Sequence, residues 1–208
     1  MASHIGIDLD NTIIQYDELF HTLALEQGLI PADTPKSKSK VRDLVREVEG
    51  GYPRWVALQG LVYGKEIHRA KIAPGFAEFL AEAKRRGHPV SIISHKTQYP
   101  GLGTRYDLHA SARCFLQCQG FFDEGGQFGL QPEELMFRPT REAKLGEAAK
   151  RGCEHFIDDL IEVLTEDCFP AGAEKILISH GAGEAREVPG GIVQFRSWAE
   201  IHQHFFSA

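Results

Sequence analysis

Short apolar runs alternate along the chain with longer stretches whose apolar residues recur at helical spacing. Ile5 and Ile7 flank Gly6, and later runs of Ile, Val, Leu and Phe occupy 89–94, 134–137, 154–157, 175–179 and 191–195. Apolar runs this short, bounded by Gly, Pro and polar residues, predict strands buried on both faces, as in a parallel sheet. Helical spacing predicts helices over 16–28, 37–49, 53–63, 76–86, 107–119, 140–150, 161–167 and 198–206. Gly28, Gly50-Gly51 and Gly87 act as stops, and Thr140 is an N-cap. The segment 120–129 is rich in turn residues. Strands alternating with helices predict an α/β fold, a Rossmann-like parallel sheet with helices on both faces. The stretch 17–72 carries helices but no strand. It is expected to be a small helical cap inserted after the first strand, leaving 1–16 and 73–208 as the α/β core. No internal repeat or low-complexity tract interrupts this pattern.

The candidate chemistry lies where the apolar runs end. The first empties into Asp8-Leu9-Asp10-Asn11-Thr12. Two acids this close repel each other and lose solvation, so folding alone gives no reason to place them at the end of a central strand. A divalent cation gives one, and Mg²⁺ favours one or two carboxylates together with substrate phosphate. The run at 154–157 ends the same way, in Asp158-Asp159. The run at 89–94 ends in Ser94, followed by His95 and Lys96, and a small hydroxyl at a strand end can donate to a phosphate oxygen. The helix starting near Thr140 carries Arg141 and Lys144, cations near an N-terminus that itself favours anions.

These stretches, in this order, resemble the haloacid-dehalogenase-like (HAD) hydrolase superfamily. Its first motif is Asp-x-Asp-x-Thr after a first strand, and 8–12 fits it without a mismatch. The resemblance covers about 3–16 and 74–195, and no motif matches in the cap. It implies that Asp8 is the nucleophile toward phosphorus and that Asp10 is the acid and base. It also implies a cation that neutralises the nucleophile, with Lys144 first, Arg141 second and Arg138 third. The metal set is Asp8, Asp10 (through its backbone carbonyl) and Asp159 directly. Asp158 is an outer or alternative ligand. Thr12, Ser94, His95, Lys96 and Arg141 are the candidate substrate contacts. An acid four residues beyond the metal aspartate is common in the family, whereas Val163 stands there in this chain, with Glu162 nearby.

Composition narrows the reading. The 208 residues suffice for one good-sized core, and 42% hydrophobic and 25% charged residues are ordinary for a globular protein. A net charge of −6 argues against a nucleic-acid-binding surface. No apolar run is long enough to span a bilayer, and the N-terminus lacks a signal-peptide pattern. Cys114, Cys118, Cys153 and Cys168 show no zinc-ribbon spacing and are expected to be reduced thiols of a cytoplasmic protein. The expected activity is Mg²⁺-dependent hydrolysis of a small phosphorylated metabolite, a sugar phosphate first and a nucleotide second, through an aspartyl-phosphate. A dehalogenase is the weaker alternative, since it generally lacks the second aspartate. A catalytically silent binding protein on the same fold is expected to have lost an acid, and none is missing. In the cap, Tyr16, Arg42, Arg46, Tyr52, Arg54 and Trp55 are candidates for recognising the substrate, although aromatics at this spacing more often form a local core.

Overall fold

The computed structural model describes residues 2–123, 128–180 and 187–207. In chain order, β1 (Ile5–Ile7) and β2 (Ile14–Gln15) precede three helices, α1 (Asp17–Glu26), α2 (Lys38–Glu47) and α3 (Gly51–Tyr63). After β3 (Lys71–Ile72) come α4 (Phe76–Arg85), β4 (Val90–His95), α5 (Leu108–Cys118), β5 (Leu135–Arg138) and α6 (Arg141–Lys150). The chain then forms β6 (His155–Asp158), α7 (Ile161–Leu164), β7 (Glu174–Ile178), β8 (Ile192–Phe195) and α8 (Trp198–Phe206). Part of the turn-rich stretch expected at 120–129, namely 124–127, lies outside the described residues.

Six strands form one sheet in the order β5-β4-β1-β6-β7-β8, with every pair parallel. This is the expected Rossmann-like α/β architecture. From β1 the sheet grows outward through β4 and β5 on one side and through β6, β7 and β8 on the other. The carboxyl end of β1 is therefore the switch point where such sheets leave a crevice. Register puts Ile7 level with both Ile92 and Ile157. Gly6 sits opposite Phe156, whose ring carbon would lie 2.5 Å from any Cβ added to the glycine. The side chain is absent from the middle of β1 because that ring occupies its place.

The chain divides into two compact units, Met1–Ile13 with Ile72–Lys96 and Gly120–Ala208, and Ile14–Lys71 with Thr97–Gln119. The first contains the whole sheet. Phe76 and Phe79 of α4 pack on Trp198 of α8 at ring separations of 4.9 and 5.0 Å. A second cluster joins Ile93, Met136, Leu145, Phe156, Val163, Leu164 and Leu177. The helical unit has its own aromatic core, with Phe20 stacked on Trp55 (5.0 Å) and Tyr16 edge-on to Tyr63 (4.8 Å). Tyr16 and Trp55 are thus core residues of that unit, while Tyr52 is exposed. Thr97–Gln119, which the hydrophobic pattern leaves with the α/β core, belongs to the helical unit. The reason is steric fit: Gly64 and Gly60 lie so close to Tyr106 and Pro100 that a Cβ would meet them at 2.5 and 2.8 Å.

Candidate active site

β1 ends at Ile7, and the Asp8 N–H continues the ladder by donating to the Ile157 carbonyl (2.9 Å). Asp8 is thereby fixed at the top of the central strand, buried beside Asp158, the last residue of β6. Asn11 then adopts a left-handed conformation, φ 62°, which Asn tolerates better than most side chains. The turn brings Thr12 back so that its hydroxyl donates to Asp8 Oδ2 at 3.3 Å. The Thr12 carbonyl accepts from Trp198 Nε1 (3.0 Å) and lies 3.1 Å from His180 Nε2. Thr12, expected to touch substrate, is fully buried and braces the loop that carries the acids.

Lys144, on the first turns of α6, is buried, and its ammonium donates to both Asp8 Oδ1 and Asp158 Oδ2 at 2.6 Å. Burial alone would depress the lysine, but Asp158 and Asp8 outweigh it and hold the ammonium above its ordinary pKa. Burial pushes the Asp8 carboxyl up to about 7; Lys144 opposes that shift, while Asp158 and Asp10 add to it. The other two candidate cations face elsewhere. Arg138 pairs with Glu147 at 2.8 Å, and Arg141 meets Glu166 at 3.5 Å.

Asp8, Asp158 and Asp159 each offer a carboxylate oxygen within 4.8 Å of the others. All three donors are oxygens, the set that a hard divalent cation such as Mg²⁺ prefers. The clustering of buried negative charge, which Lys144 offsets at Asp8 and Asp158, is the feature such a cation would relieve. Asp158 also accepts from the Leu160 N–H (3.0 Å), so its carboxylate is held in place on both oxygens. Asp159 is the more exposed of the pair. The Asp10 side chain is ion-paired to Lys96 at 2.7 Å.

Strand alternation sorts the end of β4. Ser94 and Lys96 point to one side and are buried, whereas His95 points to the other and is exposed. The His95 ring lies 3.0 Å from the Pro139 carbonyl and does not join the acids. The Ser94 hydroxyl is buried and has no hydrogen-bond partner among the described residues. A buried hydroxyl without a hydrogen bond costs about 1–3 kcal/mol. Near the carboxyl end of β4, the strand paired with β1, the Ser94 hydroxyl suits an external acceptor. Trp198 and His180 escaped the sequence reading, since neither belongs to a motif and both act at more than 160 positions' remove from Thr12.

No family model and no curated protein matches the chain. Solved structures do. A HAD-superfamily hydrolase from Geobacter sulfurreducens superposes with a TM-score of 0.57 at 15% identity, over 96% of this chain and 94% of that one. A HAD family hydrolase from Deinococcus radiodurans, solved with bound phosphate and sodium, gives 0.56 at 14% identity, covering 99% and 96%. A predicted phosphoglycolate phosphatase from Haemophilus somnus gives 0.56 at 16% identity, covering 98% of each chain. The chain has the fold of the HAD-superfamily hydrolases. Among the described residues no helix is long and apolar enough to cross a membrane.

Proposed function

We propose that the protein is a Mg²⁺-dependent phosphatase that hydrolyses a small phosphomonoester through a phosphorylated Asp8. One observation carries this reading. A buried carboxylate at the switch point of the sheet is bound by a buried lysine, with two further carboxylates converging on it. Asp8, Asp158 and Asp159 would hold the metal, together with the Asp10 backbone carbonyl that the family resemblance implies. When bound, Mg²⁺ supplies charge neutralisation for the acids and the transferred phosphoryl group.

In the first half-reaction an Asp8 carboxylate oxygen attacks phosphorus and the bond to the ester oxygen breaks. Asp10 protonates that oxygen as it leaves. In the second half a water attacks phosphorus, the bond to Asp8 breaks, and Asp10 takes the water's proton. Lys144 stabilises the charge passing between Asp8 and the phosphoryl oxygens, and Ser94 donates its free hydroxyl to one of them. The substrate we assign is a small phosphorylated metabolite, a sugar phosphate before a nucleotide.

Hydrolysis of 4-nitrophenyl phosphate, with Mg²⁺ and with EDTA, tests the reading. Activity that requires the metal and disappears in Asp8→Asn supports it. Equal turnover by Asp8→Asn rules out the covalent route, and activity indifferent to EDTA rules out the metal. A correctly folded protein inactive on this ester and across a panel of phosphorylated metabolites supports the silent, binding-only alternative.

A further inference from the structure

Lys96 is a buried cation that the reaction scheme above does not use. Its side chain is 3% exposed, and its ammonium lies 2.7 Å from Asp10 Oδ2, on a carboxylate that is itself 18% exposed. A lysine withdrawn this far from water loses hydration and is retained only where a partner compensates it. Its backbone is fixed as well. The Lys96 N–H donates to the Arg138 carbonyl at 3.0 Å, extending the β4–β5 pairing by one residue beyond the strand. The ammonium therefore projects from a rigid point, on the same side as Ser94. The sequence pattern suggests a phosphate contact for this residue, whereas the geometry turns it onto the second aspartate of the first motif.

We propose that Lys96 is a positioning residue for Asp10. It holds one carboxylate oxygen and fixes the side-chain rotamer from which Asp10 exchanges its proton. This rests on the reading of Asp10 as acid and base given above. The consequence is specific. Misplacing a proton-transfer group harms esters whose leaving oxygen must be protonated and spares those whose leaving group departs as a stable anion. Phosphate binding, being the work of Lys144, Ser94 and the metal, is untouched.

The test compares phenyl phosphate with 2,4-dinitrophenyl phosphate, two esters of similar shape and different leaving-group basicity, in the Mg²⁺-loaded full chain. For Lys96→Met, kcat/KM on phenyl phosphate falls about 10–100-fold, and on the dinitrophenyl ester less than about threefold. Inhibition by inorganic phosphate stays within about twofold of wild type. Lys96→Arg, which keeps a cation, recovers part of the loss. In an Asp10→Asn background Lys96→Met has no further effect, because the lysine acts through the carboxylate. Equal losses on both esters, phosphate inhibition weakened about tenfold, or a full additional loss in the Asp10→Asn background each overturn the proposal. Should Lys96→Met fail to fold, Lys96→Arg and the uncharged pair Asp10→Asn/Lys96→Met carry the same comparison. Asp8→Asn separates the two levels. If it keeps turnover, the phosphatase reading fails; if it abolishes turnover while Lys96→Met lowers both esters equally, only the role of Lys96 fails.

Discussion

Lys144 is the residue whose removal has the most calculable consequence. Its ammonium touches two buried carboxylates at 2.6 Å each. At a charge separation of ~4 Å and an effective dielectric of ~20, each attraction is about 4 kcal/mol before desolvation is charged against it. Lys144→Met removes both attractions and leaves Asp8 and Asp158 buried side by side. Breaking a buried pair in this way destabilises by about 3–5 kcal/mol, and for a chain of this length each kcal/mol shifts Tm by roughly 2–4 °C. The variant is therefore expected to unfold about 6–20 °C below wild type in EDTA at about pH 8. Without the lysine, which opposes the upward shift, the folded-state Asp8 pKa rises further above its unfolded value. Protons then bind the folded state preferentially, so the deficit is largest at high pH and narrows as pH falls toward about 5. Lys144→Met/Asp158→Asn, which removes one of the repelling charges, restores part of the loss. Thermal unfolding followed by circular dichroism measures all three. A single variant within about 2 °C of wild type at high pH, or no recovery in the double variant, refutes the electrostatic reasoning.

Metal-free wild type shows the same linkage in milder form. Asp8 is raised from 3.8 to about 7 on folding, so its contribution to stability, complete below its unfolded value, is lost as pH rises through about 7, and urea unfolding in EDTA between about pH 5 and 8 detects the decline. Ser94→Ala removes a buried hydroxyl that lacks a partner; it leaves stability unchanged or up to about 1 kcal/mol higher while weakening inhibition by inorganic phosphate, as denaturant melts and inhibition constants show together. Gly6→Ala drives a methyl into the Phe156 ring and costs about 1–3 kcal/mol in urea unfolding; Gly6→Ala/Phe156→Leu recovers part of it. Gly64→Ala collides with Tyr106 and with the Gly60 carbonyl, and protease sensitivity of the segment Thr97–Gln119 rises if that segment is held to α3 as described.

The sheet was legible because its strands are short, apolar on both faces and bounded by turn residues, a pattern that leaves few other uses for Ile5, Ile92 or Ile157. The convergence of Asp8 and Asp158 was legible only as a consequence of that sheet, since the acids are far apart in sequence and meet through the β1–β6 pairing. The two-residue strands β2 and β3 were not legible, because two residues carry no periodicity. Nor was the membership of Thr97–Gln119, which depends on two glycines of α3 and its C-cap meeting Pro100 and Tyr106 rather than on any local preference. The division between His95 and Lys96 was available in principle. Strand parity counted from Ser94 turns the lysine inward and the histidine outward, yet a charged residue after a strand ordinarily reads as solvated. Arg138 and Arg141 were plausible cations on position alone, and their pairing with Glu147 and Glu166 is a tertiary outcome.

The central claim is that the Asp8 carboxylate accepts a phosphoryl group beside a divalent cation. Beryllofluoride, which mimics a phosphoryl group on a carboxylate oxygen, tests this without knowledge of the substrate. ¹⁹F NMR of the protein with beryllium, fluoride and Mg²⁺ is expected to show bound fluorine resonances in wild type, and none in Asp8→Asn or when EDTA replaces Mg²⁺. Bound resonances that persist in a folded Asp8→Asn variant, or their absence from wild type at saturating Mg²⁺, contradict the assignment of Asp8 as the nucleophile.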